Sequence, residues 1–241
     1  MSKMLLLGVG GSSRPNFTSN LVGYWRLDEA SGNAIDSFGS LDLTDTNTVG
    51  SGTGHVAAAA RDFEVGSAEY FTRADEAAFE VGAQSWSACG WINHESTPAS
   101  HHNLISKFDA NADAGSGRGW KLHVDSGNAL VVVNKDGTNS TTLTHGTALS
   151  SATWYFVAGG YDASVSKNWC SVNAGTRALG SVVAISHNDE TYSFRIGRVV
   201  NGSAGVYWDG LMEQWGLWIG RVLTDVELTY IYNAGVGRVL V

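Results

Sequence analysis

From Leu21 onward, apolar residues recur at every second position in short runs, and clusters of Gly, Ser, Asn and Asp separate the runs. A period of two marks a strand with one buried face, so the pattern predicts about a dozen β-strands. The clearest cover residues 21–27, 59–65, 85–93, 103–108, 119–125, 129–134, 153–161, 167–173, 192–198 and 211–219. Only one segment carries helix signals. Thr224 and Glu227 form a capping box, Leu223 and Leu228 are spaced as a hydrophobic staple, and Leu228, Ile231 and Tyr232 make an apolar stripe that Gly235 ends. Together they predict a short helix over residues 225–233. Many antiparallel strands with one terminal helix point to an all-β fold, an antiparallel jelly-roll β-sandwich. Residues 1–20 break the pattern: the apolar Met4, Leu5, Leu6 and Leu7 give way to glycines, serines and Arg14-Pro15. This stretch reads as a flexible N-terminal arm on a single domain spanning residues 21–241.

Composition sharpens the picture. In 241 residues, 43% are hydrophobic, 16% charged and only 2 are proline, against 30 glycines, which suits a turn-rich sheet protein with a sizeable core. A formal net charge of −8 provides no diffuse positive field for phosphate backbones or anionic lipid, so nucleic acid is not an expected partner. No apolar run is long enough to insert in a membrane, and Met4–Leu7 is too short for the core of a signal peptide, so classical secretion is not expected. The two cysteines, Cys89 and Cys170, read as buried small hydrophobes rather than as a bridge.

Eight segments, LVGYWRLDEASG, ARDFEVGSAEYFT, SWSACGWIN, NLISKFD, TWYFVAGGYD, FRIGR, YWDGLMEQWGLW and LTDVELTYIYN, occur in the order seen in laminin-G-like domains. Over about residues 21–235 the chain resembles that branch of the concanavalin A-like lectin and glucanase superfamily. The resemblance implies a sandwich of two curved antiparallel sheets, while leaving lectin, adhesion, hydrolytic and structural roles open. The glucanases of that superfamily carry Glu-x-Asp-x-x-Glu on one strand, which puts the carboxylates on one face. This sequence lacks that spacing, and no nucleophile elbow, HExxH helix or phosphate loop replaces it, so the expected protein is not an enzyme.

The resemblance also implies one structural calcium ion, with Asp28, Asp209 and Glu213 in the ligand positions. The family's Asp-Glu pair on the last strand has here become Glu213-Gln214, a departure that weakens the site. By alternation Glu213 shares an apolar face with Leu211, Trp215 and Leu217, so it needs a partner: Arg26, Arg195 or a metal. Asp109, Asn111 and Asp113 have the spacing of a calcium loop without its glycine and terminal glutamate, and read as a polar hairpin. His101 and His102 are neighbours that a strand would point to opposite faces, and read as polar residues at a strand entrance. Asn-x-Ser/Thr triplets at Asn16, Asn139 and Asn201 matter only in a eukaryotic secretory path.

Among the tryptophans, Trp169 alternates in register with Lys167, Ser171 and Asn173, which places it on a polar face, exposed for ligand binding. Tyr207 and Trp208 are the second ligand-binding candidates. Two roles follow. The first is a structural or display protein of a virus or phage particle, a capsid decoration or appendage subunit on the virion surface. There Met4–Leu7 would fasten the domain to protein partners in the assembly, copies of itself included, by adding a strand to a neighbour's sheet edge. The alternative is a carbohydrate-binding or adhesion module with a glycan partner.

Overall fold

The computed structural model describes residues 14–98, 101–110, 117–188, 190–201 and 204–241. Met4, Leu5, Leu6, Leu7, Asn111 and Asp113 lie outside the described residues. The described chain runs through β1 (Leu21–Trp25), β2 (Thr44–Thr46), β3 (Gly50–Thr53), β4 (Ala59–Phe63), β5 (Tyr70–Arg73), β6 (Trp86–His94), β7 (His101–Asp109), β8 (Arg118–Asp125) and β9 (Ala129–Lys135). It continues through β10 (Ser140–Ala148), β11 (Tyr155–Asp162), β12 (Lys167–Val172), β13 (Ala178–Leu179), β14 (Phe194–Ile196), β15 (Arg198–Asn201), β16 (Ala204–Tyr207), β17 (Gly210–Ile219) and the helix α1 (Asp225–Tyr232).

Two sheets form the jelly-roll sandwich. One has the order β13-β12-β11-β6-β17-β4-β3, with β1 also on β17; the other has the order β10-β9-β8-β7-β14-β5-β2, with the β15–β16 hairpin attached to β7. Apart from a single parallel bridge between Val200 and Asp109, the pairings are antiparallel. Between the sheets lies the main core, where Trp25, Trp86, Trp120 and Trp215 are almost wholly buried. Gly90 of β6 makes room for one of them, since a Cβ there would stand 2.4 Å from the Trp215 ring. A polar bridge crosses this core. Asn134 of β9 donates to Asn168 Oδ1 of β12 at 2.8 Å and accepts from Trp86 Nε1 at 3.0 Å, and Asn168 donates to the Val132 and Thr141 carbonyls at 3.1 Å each. Buried amides satisfied in this way cost little, and they fix how the sheets slide over one another.

A second core covers the outer face of the eight-stranded sheet. Cys89, Trp91, Phe156, Ala158, Trp169 and Trp218 point outward there and are roofed by Phe17, Leu228, Ile231 and Leu240. The capping box is formed, Thr224 Oγ1 accepting from the Glu227 amide and Glu227 from the Thr224 amide, and the helix ends on Asn233 in the left-handed region. Cys89 and Cys170 are buried and free, on opposite faces of the sheet.

Two sequence expectations change here. The domain begins before residue 21, because Phe17 is only 2% exposed and its carbonyl accepts from Trp218 Nε1 at 2.7 Å. A single aromatic among polar residues carries no period, so the chain there read as arm. The alternation along β17 also breaks. Glu213 faces Trp91 and Gly216 faces Cys89, so one extra residue is inserted, with Gln214 at φ +58°. This bulge flips Glu213 to the outer face while Met212, Trp215 and Leu217 stay inside.

Candidate functional site

The outer face of the eight-stranded sheet holds two of the sequence candidates, and neither is open. Trp169 is 1% exposed, packed in the second core with the Arg177 guanidinium 4.3 Å above its ring. The polar residues in register with it suggested a wet face, but helix α1, Phe17 and Leu240 roof that face. Glu213 is fully buried, and its carboxylate accepts from the backbone amides of His55, Val56 and Ala57 at 2.8, 2.6 and 3.1 Å. Its partner is thus a loop of main-chain donors rather than Arg26, Arg195 or a cation. Burial pushes its carboxyl up from the ordinary value, and the three amides and His55 pull it back.

The other two calcium candidates are engaged separately. Asp28 pairs with Arg26 at 2.5 Å, and Asp209 accepts from the Val65 amide at 3.4 Å and from the Ser96 hydroxyl. Among the described residues no three His, Cys, Asp or Glu side chains converge as metal ligands. The donors around Glu213 are N–H groups, which repel a cation, so these three residues do not fit a calcium site.

The nine-stranded sheet presents its outer face differently. Register aligns Thr44, Thr72, Arg195, Ser106, Lys121, Val133 and Thr142 in one row across seven strands. After β14 the chain reverses at Gly197, at φ +86°, where a Cβ would stand 2.6 Å from the Phe63 ring. Glycine alone fits that turn. The β15–β16 hairpin then lies against the outward side chains: the Arg198 carbonyl accepts from Asn103 Nδ2 at 2.9 Å and Ser106 Oγ at 2.8 Å, and Val199 packs on Phe108, Val131 and Val133.

Beside the hairpin, Tyr70, Thr72, Arg195, Arg198 and Tyr207 form a half-buried shelf. The rings of Tyr70 and Tyr207 lie 6.1 Å apart, and the Arg198 guanidinium sits over both, at 4.7 and 5.5 Å from their centroids. Tyr207 is thus the one sequence-predicted ligand residue on an accessible face. Trp208, its neighbour, is fully buried, packed edge-on to His94 and His102 at ring distances of 6.4 and 6.0 Å. Residues adjacent on a strand point to opposite faces, which explains the split. Tyr70 and Arg198 carry no signal in the sequence because each looks ordinary alone; only the pairing of β5 with β14 and the turn at Gly197 bring them to Tyr207.

On the far side of the hairpin the same face carries a basic cluster of buried Lys121 and His123 with half-buried His101. His101 lies 4.9 Å from His123, ring to ring, and Lys121 Nζ stands 5.1 Å over the Phe108 ring. Burial, with Lys121 beside it, holds His101 down at about 4 and His123 well below the ordinary imidazole value, and burial brings Lys121 down to about 8. His101 and His102 do point to opposite faces, His102 toward Trp208 within the sandwich, yet His102 is buried rather than a surface residue.

With this geometry in view, the similarities to known proteins take on meaning. The structure is similar to the binding domain of Paraclostridial Mosquitocidal Protein 1 (TM-score 0.69, 14% identity, 90% of this chain and 52% of that one). It is also similar to Trypanosoma rangeli sialidase (TM-score 0.65, 14% identity, 95% of this chain and 35% of that one). A third is domain 4 of AbnA, an extracellular arabinanase from Geobacillus stearothermophilus, solved with arabinotriose (TM-score 0.60, 16% identity, 88% of this chain and 97% of that one). The chain spans about half of the toxin domain and a third of the sialidase, and at these identities the likeness is one of fold. No curated protein sequence matches the chain. A family model described as the concanavalin A-like lectin/glucanases superfamily, in a laminin-G-like form, matches residues 65–229, so the chain belongs to that superfamily.

Proposed function

We propose that the protein is a non-catalytic recognition module that binds a saccharide on the Tyr70–Tyr207 shelf of the nine-stranded sheet. The observation that carries this reading is the pair of half-buried tyrosines held in place by Arg198 on the open sheet face. An aromatic ring offers a flat apolar surface to the C–H face of a sugar, and the threonines and arginines around it offer hydrogen bonds to the hydroxyls. Support also comes from relatives in fold whose names specify binding: a toxin binding domain and an arabinanase domain solved with arabinotriose. Glycan-array screening of the intact protein, followed by titration of each hit against Tyr207→Ala, tests the reading. The expected result is a binding loss of about fivefold or more with the fold retained, since a stacked ring contributes on the order of 1 kcal/mol or more. Unchanged binding by the variant, or no hit on the array, would defeat it.

A second reading keeps the particle-associated role. It is favoured by the place where residues 1–13 join the domain, at Arg14 and Pro15, beside Leu240 and Val241 in a groove of about 290 Å³. In this reading the leading segment fastens the module to a protein assembly. Light scattering on the full chain and on a variant lacking residues 1–13 should then give an oligomer and a monomer respectively; two equal masses would count against self-assembly.

A further inference from the structure

The arginines of this protein differ in how their charge is met. Arg26, Arg61, Arg73, Arg118, Arg177 and Arg221 each face a carboxylate within 4.0 Å. Arg14, Arg195, Arg198 and Arg238 do not, although the protein carries a net charge of −8 and offers carboxylates in excess; Arg14 is exposed, and Arg238 donates to the Tyr230 carbonyl and to Asn233 Oδ1 at 2.9 and 2.7 Å, which leaves Arg195 and Arg198 as the half-buried pair without such a set of partners. Among the described residues, Arg195 makes one side-chain hydrogen bond, from Nη1 to the Ser193 carbonyl at 3.3 Å, and its Nε is buried without a partner. Arg198 makes none, and its Nε is likewise buried and unpartnered. Burial and then the neighbouring Arg198 disfavour the charge on Arg195, and Tyr70 and Asp109 offset them through space.

Unneutralised guanidinium groups side by side raise the energy of the free protein, and they do so on the shelf where the tyrosines lie. Arg198 sits over two rings, which holds its head group on the shelf, and Arg195 stands in the sheet row between Thr72 and Ser106. A guanidinium with free N–H groups matches the two oxygens of a carboxylate or sulfate, and a pair of them converts mutual repulsion into shared attraction once an anion arrives.

We propose that the shelf selects acidic saccharides, with Arg195 and Arg198 clamping a carboxylate or sulfate group while Tyr70 and Tyr207 bear the sugar ring. The inference rests on the saccharide reading above and names the class of sugar. The arginines are specificity-determining residues; the tyrosines supply affinity common to acidic and neutral sugars.

The test is a set of titrations of the full chain with N-acetylneuraminic acid, glucuronic acid, galactose 6-sulfate and neutral galactose, read by the arginine Nε–Hε resonances and by affinity at low and high salt. Acidic sugars should bind about tenfold or more tighter than galactose, shift the Arg195 and Arg198 signals, and lose that advantage in high salt. Arg195→Gln and Arg198→Gln should each bring acidic sugars down to the level of galactose, while Arg195→Lys should restore part of the preference; melting curves of all three verify that the fold is kept. The carboxylate and sulfate arms distinguish which oxyanion the clamp accepts. Equal affinity for acidic and neutral sugars, with Tyr207→Ala weakening both, would overturn the clamp and leave the saccharide reading standing. Binding of no sugar in the set, acidic or neutral, would overturn both.

Discussion

Glu213 shows how one residue can satisfy a physical rule in a way its neighbours do not announce. A buried carboxylate must find donors or lose its charge. Here it finds three consecutive backbone amides, and so it ties β17 to the loop that precedes β4. Replacing one oxygen with an amino group would point a donor at donors. Glu213→Gln should therefore lower stability by about 1–3 kcal/mol, measured by urea unfolding, and speed hydrogen exchange at His55, Val56 and Ala57. Adding calcium or EDTA should leave the melting temperature of the parent protein unchanged. A calcium-dependent rise in melting temperature that Glu213→Gln abolishes would contradict this assignment. Trp169 carries the related lesson: the residues in register with it are polar, but what lies above them in space decides exposure, and there it is helix α1 with Phe17 and Leu240.

At the scale of elements, what was legible depended on period. β6, β8, β9, β12 and β17 fall within a residue or two of their predicted limits, because each has a buried face long enough to show alternation. Helix α1 was legible to its cap, since Thr224 and Glu227 act locally. β2, β3, β13, β15 and β16 were not, being two to four residues long. β10 was missed for a different reason, since Ser140, Thr142 and Thr144 on its outward face alternate with little more than Thr141 and Leu143. The site suffered most from this. Arg198 and Tyr207 belong to β15 and β16, the short hairpin that only the Gly197 turn creates, and the bulge at Gln214 that misplaced Glu213 leaves no trace in a two-residue period. Fold is a property of repeated positions, whereas this shelf is assembled from single positions on four strands.

For the whole molecule, buried imidazoles set the response to acid. His187 is 7% exposed, its Nε2 lies 3.2 Å from Asn134 Oδ1 in the bridge between the sheets, and burial brings it from 6.5 down to about 4. Between those two values the unfolded chain binds the proton and the folded one does not, so stability falls as pH drops through this window. His101 works in the same direction, and Glu213, shifted upward by burial, opposes both. Urea midpoints across the window should therefore depend less on pH in His187→Gln than in the parent; identical slopes would show that His187 is not held neutral. The second core on the eight-stranded sheet has a further consequence, one of front and back. Phe17 and Leu240 both lie in the second core, so the two ends of the domain emerge behind the molecule while the tyrosine–arginine shelf looks the other way. Whatever is joined to either end holds the domain by its back, and the shelf is left facing outward without any hinge having to turn it.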